Sequence, residues 1–131
     1  MIDVGDVPGH QVRIYEITVT YKKDELAFDG VAVKEGWSRS MSDYTNGSGI
    51  FTGYNTYVLE DGNKIFAKSM GTTQTSNTGG SKSLKFTSVE TITGGTGRFA
   101  GIRGQILGNG SRVPGEKALT VQATGEYWIE K

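Results

Sequence analysis

Side chains alternate with a period of two along most of this chain, and glycine-rich turns separate the alternating runs. Twenty glycines stand against two prolines, and Thr, Val, Tyr and Phe residues recur in the runs between them. Such alternation places successive side chains on opposite faces of an extended strand, whereas a helix needs a period of 3.6. No stretch carries a convincing helical stripe. The sequence therefore predicts an all-β chain of antiparallel strands joined by short turns.

Seven or eight strands can be read from this pattern. The first covers residues 11–21 and the last about 118–129, and the turn Glu60-Asp61-Gly62-Asn63 is the strongest hairpin signal. Both terminal strands are long and regular, so pairing them would remove two exposed edges. We therefore expect a closed antiparallel β-barrel of about eight strands, with residues 1–131 forming a single domain.

Composition excludes several classes of function. Fourteen basic residues balance fourteen acidic ones, so the chain has no overall attraction for nucleic acid or an anionic membrane. It has no cysteine and only one histidine, His10, which removes disulfides, thiolate catalysis and cysteine-type zinc sites. No apolar run approaches the length of a membrane helix, and the N-terminus lacks a signal-peptide pattern. We expect a cytoplasmic protein without a metal, a cofactor, a nucleic-acid partner or a membrane partner.

A glycine-rich segment follows the strand that begins near Leu84. Gly95-x-Gly97-x-x-Ala100 has the letters of a dinucleotide fingerprint, but a genuine fingerprint opens a helix within a βαβ unit. The residues that follow, Gly101 to Gln105, are not a helix start. The segment is instead typical of a tight corner, in which Phe99 plugs the barrel.

Two segments of the sequence resemble the allene oxide cyclase-like barrels, which share their architecture with the plant dirigent proteins. One is Ile92-Thr93-Gly94-Gly95-Thr96-Gly97-Arg98-Phe99-Ala100-Gly101, which continues into Gly104-Gln105. The other is Val12-Arg13-Ile14-Tyr15-Glu16-Ile17 near the N-terminus. With the strand count and the chain length, the resemblance spans nearly the whole chain.

The resemblance implies a chemistry. Barrels of this family enclose a hydrophobic ligand, and a glutamate of the first strand assists epoxide opening and ring closure without a cofactor. By its Tyr-Glu-Ile context that glutamate looks like Glu16. The family's asparagine two positions later corresponds to Thr18, and its pocket cysteine falls near Asn55. The resemblance also implies a homo-oligomer, with a trimer as the first expectation and a dimer as the second.

The residues themselves lead to two candidate carboxylates. Glu16 shares a strand face with Val12 and Ile14, and a carboxyl among apolar neighbours suits general acid or base catalysis. Alternatively, Glu16 forms a structural ion pair with Arg39 or another basic residue. Glu90 lies on an otherwise apolar face of its strand and is a possible second catalytic carboxylate, which would allow the two groups to divide acid and base duties.

Further side chains are expected to line the ligand pocket, although aromatic residues of a small barrel also serve as core. The candidate substrate-binding residues are Ile14, Thr18, Trp37, Asn55, Tyr57, Phe86 and Tyr127.

Three functional hypotheses remain open. The first is a cofactor-independent isomerase, cyclase or lyase that acts on a small hydrophobic molecule held in the barrel. The second is a non-catalytic hydrophobic-ligand binder or dirigent-like scaffold, because a fold does not dictate a function. The third is a solidly packed barrel that serves as one subunit of an assembly. Its outer contact surface would comprise Tyr15, Ile17, Val19 and Tyr21.

Overall fold

A computed structural model describes residues 1–23, 25–78, 81–113 and 120–130. These residues form one antiparallel sheet of nine strands, and the described part of the chain contains no α-helix. The strands are β1 (Ile2–Asp3), β2 (His10–Thr20), β3 (Ala27–Phe28), β4 (Val31–Thr45), β5 (Ser48–Leu59), β6 (Lys64–Thr78), β7 (Ser81–Gly95), β8 (Ile102–Arg112) and β9 (Thr120–Ile129). The all-β, antiparallel prediction is confirmed.

The long strands form a meander, in which each strand pairs with the next along the chain. The order across the sheet is β1-β2-β4-β5-β6-β7-β8-β9, and β3 also pairs with β4. Asn46 and Gly47 alone connect β4 to β5, and both have positive φ values of 52° and 83°. That conformation suits a two-residue hairpin turn. The turn at Glu60-Asp61-Gly62-Asn63 joins β5 to β6, as the sequence predicts.

The sheet is strongly curved. The ring of Tyr127 on β9 lies 5.5 Å from the ring of Phe28 on β3, and the Tyr127 hydroxyl accepts a hydrogen bond from the Asp29 amide at 2.7 Å. In a flat sheet, the six strand spacings from β3 to β9 would separate such residues by roughly 29 Å. The face that carries Phe28 and Tyr127 is therefore concave, and the opposite face is convex.

The hydrophobic core fills one end of the concave side. Phe99 is 0% exposed and comes from a single 3-10 turn, Gly97–Phe99, between β7 and β8. This is the glycine corner predicted from the sequence, with Phe99 inserted into the core. The other core residues are Phe28, Val33, Tyr57, Leu59, Ile65, Ile92 and Ile102.

The prediction of a closed barrel is wrong, because β2 and β9 do not pair. β1 hydrogen-bonds along the outer edge of β2, where Ile2 lies opposite Val12, and so covers part of the edge that closure would need. At the core end, Tyr127 of β9 packs on the β3 hairpin instead of bringing β9 to β2. The sheet thus remains open between its two terminal strands.

Strand register corrects two face assignments. Strict alternation would put Val33 and Trp37 on one face of β4, but a bulge between Val33 and Glu35 shifts the register, so that Val33 lies in the core and Trp37 on the convex side. The four residues expected on the outer surface lie on the concave face instead, since Val19 pairs with Gly36 and the Tyr21 ring lies against Gly36. These four residues are Tyr15, Ile17, Val19 and Tyr21.

Within the described residues, no helix has the length and apolar character needed to cross a membrane.

Candidate functional site

Two side chains, Asn55 and Tyr57, meet the carboxyl group of Glu90 on the concave face. Its Oε1 accepts hydrogen bonds from Asn55 Nδ2 and from the Tyr57 hydroxyl, each at 2.5 Å. Glu90 is only 8% exposed. A buried carboxyl held by two donors has a fixed orientation, as an acid–base group requires.

The strand register brings these residues together. Asn55 and Tyr57 belong to β5 and Glu90 to β7, so β6 lies between them. On β6, Ala67 pairs with Asn55, and Ser69 pairs with Glu90. Because Ala67 and Ser69 are short, the longer side chains on either side can meet above β6.

Tyr57 acts only as a hydrogen-bond donor toward Glu90. Burial, followed by the negative charge of Glu90, raises the pKa of Tyr57 far above its ordinary value of 10.0. The phenol therefore stays protonated throughout the physiological range. Burial and then Glu90 also raise the pKa of Tyr21, which packs against the core beside this cluster.

Asn55 contributes the one fully buried side-chain polar atom that lacks a hydrogen-bond partner among the described residues. Its Oδ1 is buried and has no hydrogen-bond partner in the described part of the chain. The amide cannot simply be reversed, because that would direct a carbonyl oxygen at the carboxylate of Glu90. Buried acceptors without partners are rare in folded proteins, and they call for a water or ligand donor.

Glu16 lies on the opposite face from Glu90. It is paired with Arg39 across the β2–β4 ladder, where Arg39 Nε donates to Glu16 Oε2 at 2.8 Å. The Glu16 side chain is 58% exposed. This geometry matches the structural ion pair considered as the alternative to a catalytic role. A catalytic role for Glu16 stays a prediction, but it has no access to the concave face.

The remaining candidate residues divide between the two faces. Ile14 and Thr18 share the convex face with Glu16, and Trp37 lies there with Arg39 and Lys64 at 5.1 and 5.5 Å from its ring. Phe86 and Tyr127 lie on the concave face with Glu90, Asn55 and Tyr57. Tyr127 belongs to the aromatic contact with Phe28.

Sequence reasoning did not identify the way aromatic rings cover glycines on the concave face. The Phe51 ring lies over Gly71, where an added Cβ would be 2.5 Å from Phe51 Cζ, and the Phe86 ring lies over Gly110 in the same way. The available signal was that glycine recurs at strand positions opposite large aromatic residues. These rings extend the apolar surface beside Glu90.

Two grooves lie away from Glu90. One, of about 500 Å³, runs beside Arg103 and Trp128 on β8 and β9, and the other, of about 380 Å³, is formed by the segment from Asp3 to His10. Neither contains the buried carboxyl, so we place the candidate site at Glu90 on chemical grounds. Among the described residues, no group of three His, Cys, Asp or Glu side chains is arranged to hold a metal ion.

Comparison of the chain with family models, curated proteins and solved structures finds no match.

Proposed function

We propose that this protein binds a small, mostly apolar organic molecule against the concave face and isomerises or cyclises it without a cofactor, with Glu90 as the acid–base group. The observation that carries the proposal is the pair of hydrogen bonds from Asn55 and Tyr57 to a carboxyl that is almost fully buried. A few polar side chains that converge on an otherwise apolar concave surface are typical of small-molecule sites.

The two oxygens of Glu90 have different tasks in this proposal. Asn55 and Tyr57 hold Oε1, whereas Oε2 has no hydrogen-bond partner within the described residues. Oε2 accepts a proton from one atom of the substrate and returns it to another. Such a transfer involves no net oxidation or reduction, so the carboxyl alone can support it.

The surroundings of Glu90 favour an apolar substrate that carries one hydrogen-bond donor. Ala67 and Ile92 are each 2% exposed beneath the cluster, and Ile106 pairs with Glu90 on β8. Asn55 Oδ1 offers the acceptor for a substrate O–H or N–H group. The resemblance to allene oxide cyclase-like proteins supports the same class of reaction, with the acid–base carboxyl on β7 instead of β2. A cytoplasmic location stays a prediction from the sequence.

The test compares the two glutamates. Compounds that co-purify with the natively prepared protein are extracted, identified by mass spectrometry and returned to fresh protein, and conversion is followed by chromatography. The wild type and Glu16→Gln should convert the compound. Glu90→Gln should bind it without conversion, because glutamine keeps the shape but cannot exchange the proton.

Other outcomes contradict the proposal. A compound returned unchanged by the wild type would favour the non-catalytic binder, and loss of conversion in Glu16→Gln alone would move the chemistry to the convex face. If nothing co-purifies, the apolar fluorescent probe aminoanthracene tests the binding surface. Ser38→Leu, beside Asn55 on the concave face, should weaken probe binding, whereas Thr56→Leu on the convex face should not. Equal binding by both variants would contradict a concave site.

A further inference from the structure

A row of side chains, all apolar except Thr52, crosses the convex face at right angles to the strands; we call it the apolar row. Strand register places one residue of each of the six long strands β2, β4, β5, β6, β7 and β8 in this row. The members in order are Ile14, Met41, Thr52, Met70, Val89 and Leu107. The row contains no charged residue.

The most exposed apolar area lies on β4, β5 and β6. Met41, Met70, Ile50 and Tyr54 surround Thr52, and each is between 51% and 64% exposed. Together they form a patch on the order of 500 Å², about as large as the largest apolar patch of a typical monomer. A standard interface uses about 800 Å² on each partner. The patch with its polar rim therefore has the size of one side of a small interface.

The rows on either side of this patch are complementary to each other. On one side lie Arg39 and Tyr54, two residues along the strands from the apolar row, and on the other side lie Asp43 and Ile50. If a second copy is turned about an axis along the apolar row, Arg39 faces Asp43 of the second copy. The same operation places Tyr54 opposite Ile50. An isologous interface requires this kind of self-complementarity.

The two charged residues retain atoms for such a contact. Arg39 binds Glu16 through Nε, so its two outer guanidinium nitrogens take no part in that hydrogen bond. Asp43 binds His10 through Oδ1, and Oδ2 takes no part in that contact. Both groups can therefore keep their partners within the chain while meeting across the axis.

We propose that the convex face of β4, β5 and β6 is an interface between two copies of this chain, related by a two-fold axis that runs along the apolar row. The curvature of the sheet confines the contact to these central strands, because two convex surfaces separate quickly on either side of the line of contact. The proposal is independent of the role of Glu90. It gives a dimer, whereas the family resemblance predicts a trimer first.

The test measures the oligomeric state by sedimentation velocity, from low micromolar to several hundred micromolar protein. The wild type should sediment as a reversible dimer. Met70→Lys would place two cations face to face on the axis and should give a monomer. Thr91→Lys on β7, a matched exposed position outside the contact, should remain dimeric. A wild type that is monomeric or trimeric, or a dimeric Met70→Lys, would overturn the proposal.

A charge exchange tests the geometry of the axis. Arg39→Asp and Asp43→Arg should each weaken the dimer by about tenfold or more, and the double variant should recover most of the loss. Four residues along one strand separate these positions by roughly 13 Å, so the recovery cannot arise within a chain. The double variant sedimenting no better than the single variants would contradict the two-fold arrangement.

A single introduced cysteine gives an independent readout. The chain contains no cysteine, and Thr52 lies on the proposed axis, where it meets itself. Thr52→Cys should form a disulfide-linked dimer under mild oxidation, whereas Thr124→Cys at the β9 end of the same row should not. The opposite pattern would place the contact elsewhere on the face.

Discussion

Glu90 on the concave face and Glu16 on the convex face are both flanked by apolar residues along their strands, yet their surroundings are opposite. Glu90 is buried and receives two hydrogen bonds from uncharged donors, Asn55 and Tyr57. Glu16 is exposed and is paired with the cation of Arg39. Exposed ion pairs contribute little to stability, whereas a buried carboxyl requires its partners. The face of the sheet, and not the local sequence, therefore decides what each carboxyl can do.

The largest difference between the two faces should appear in their aromatic residues. Phe99 is fully buried in the concave core, so Phe99→Ala should lower the free energy of unfolding by about 3–5 kcal/mol. Phe66 on the convex face is 37% exposed, and Phe66→Ala should cost clearly less. Urea unfolding followed by circular dichroism measures both. Equal losses would mean that the two faces do not differ in packing as the structure indicates.

The next largest effect concerns the glycines beneath aromatic rings. A Cβ added at Gly71 would lie 2.2 Å from the Thr87 carbonyl oxygen and 2.5 Å from Phe51 Cζ, so Gly71→Ala should destabilise the protein by about 1–3 kcal/mol. Thr91→Ala on the convex face should change stability by about 0.5 kcal/mol or less. The same urea experiment compares them. A neutral Gly71→Ala would show that the Phe51 ring is not held against this glycine.

Glycines within strands also explain why alternation identifies some strands better than others. Alternation predicted the first strand to within one residue of β2, because its pattern is unbroken. The alternating pattern is much weaker along β8, which spans Ile102–Arg112. Gly104, Gly108 and Gly110 interrupt its apolar pattern and lower its apparent strand propensity. In the folded sheet those positions instead admit a neighbouring backbone or side chain.

The closure of the sheet and the composition of the site depend on features that alternation does not encode. β1 and β3 have two residues each, too few for a periodic signal, yet β1 covers part of the outer edge of β2 and β3 carries the contact with Tyr127 of β9. Alternation shows which residues of one strand share a face, but not which face is concave. Glu90 and Asn55 are 35 positions apart, so only the register across β6 brings them together.

Removal of the whole carboxyl group sharpens the comparison of the two glutamates. Glu90→Ala leaves the Asn55 amide and the Tyr57 hydroxyl without their acceptor, which should cost about 1–3 kcal/mol of unfolding free energy. Glu16→Ala should cost about 1 kcal/mol or less, since the released Arg39 is exposed to water. Thermal and urea unfolding report both values. A larger loss for Glu16→Ala would contradict the division of the faces into a buried site and a solvated surface.

The smallest expected effect on stability concerns His10, the first residue of β2, which joins the N-terminal segment to the convex face of the sheet. His10 Nδ1 lies 2.6 Å from Asp6 Oδ1, and Nε2 lies 2.5 Å from Asp43 Oδ1. A neutral imidazole has only one N–H, so both contacts are favourable only for the imidazolium. The hydrogen bond to Asp6, followed by that to Asp43, raises the pKa of His10 above its ordinary value of 6.5.

The direction of the pH dependence follows from that shift. Because the folded state binds the proton more tightly, the contribution of His10 to stability is fully present below pH 6.5 and is lost as the pH rises through the higher folded pKa. The stability difference between wild type and His10→Gln should therefore shrink over this interval. For Asp6, whose pKa is lowered mainly by the hydrogen bond to His10, stabilisation is present above pH 3.8 and is lost as the pH falls through the lower folded value.

A nuclear magnetic resonance titration measures the His10 pKa without ambiguity, because the chain has only one histidine. Its midpoint should lie above 6.5 in the wild type and move down in Asp6→Asn, which removes the largest cause of the shift. Asp43→Asn should lower it by a smaller amount. A wild-type midpoint at or below 6.5 would mean that the two carboxylates do not hold the ring in solution, and the N-terminal segment would then lack this anchor to the convex face.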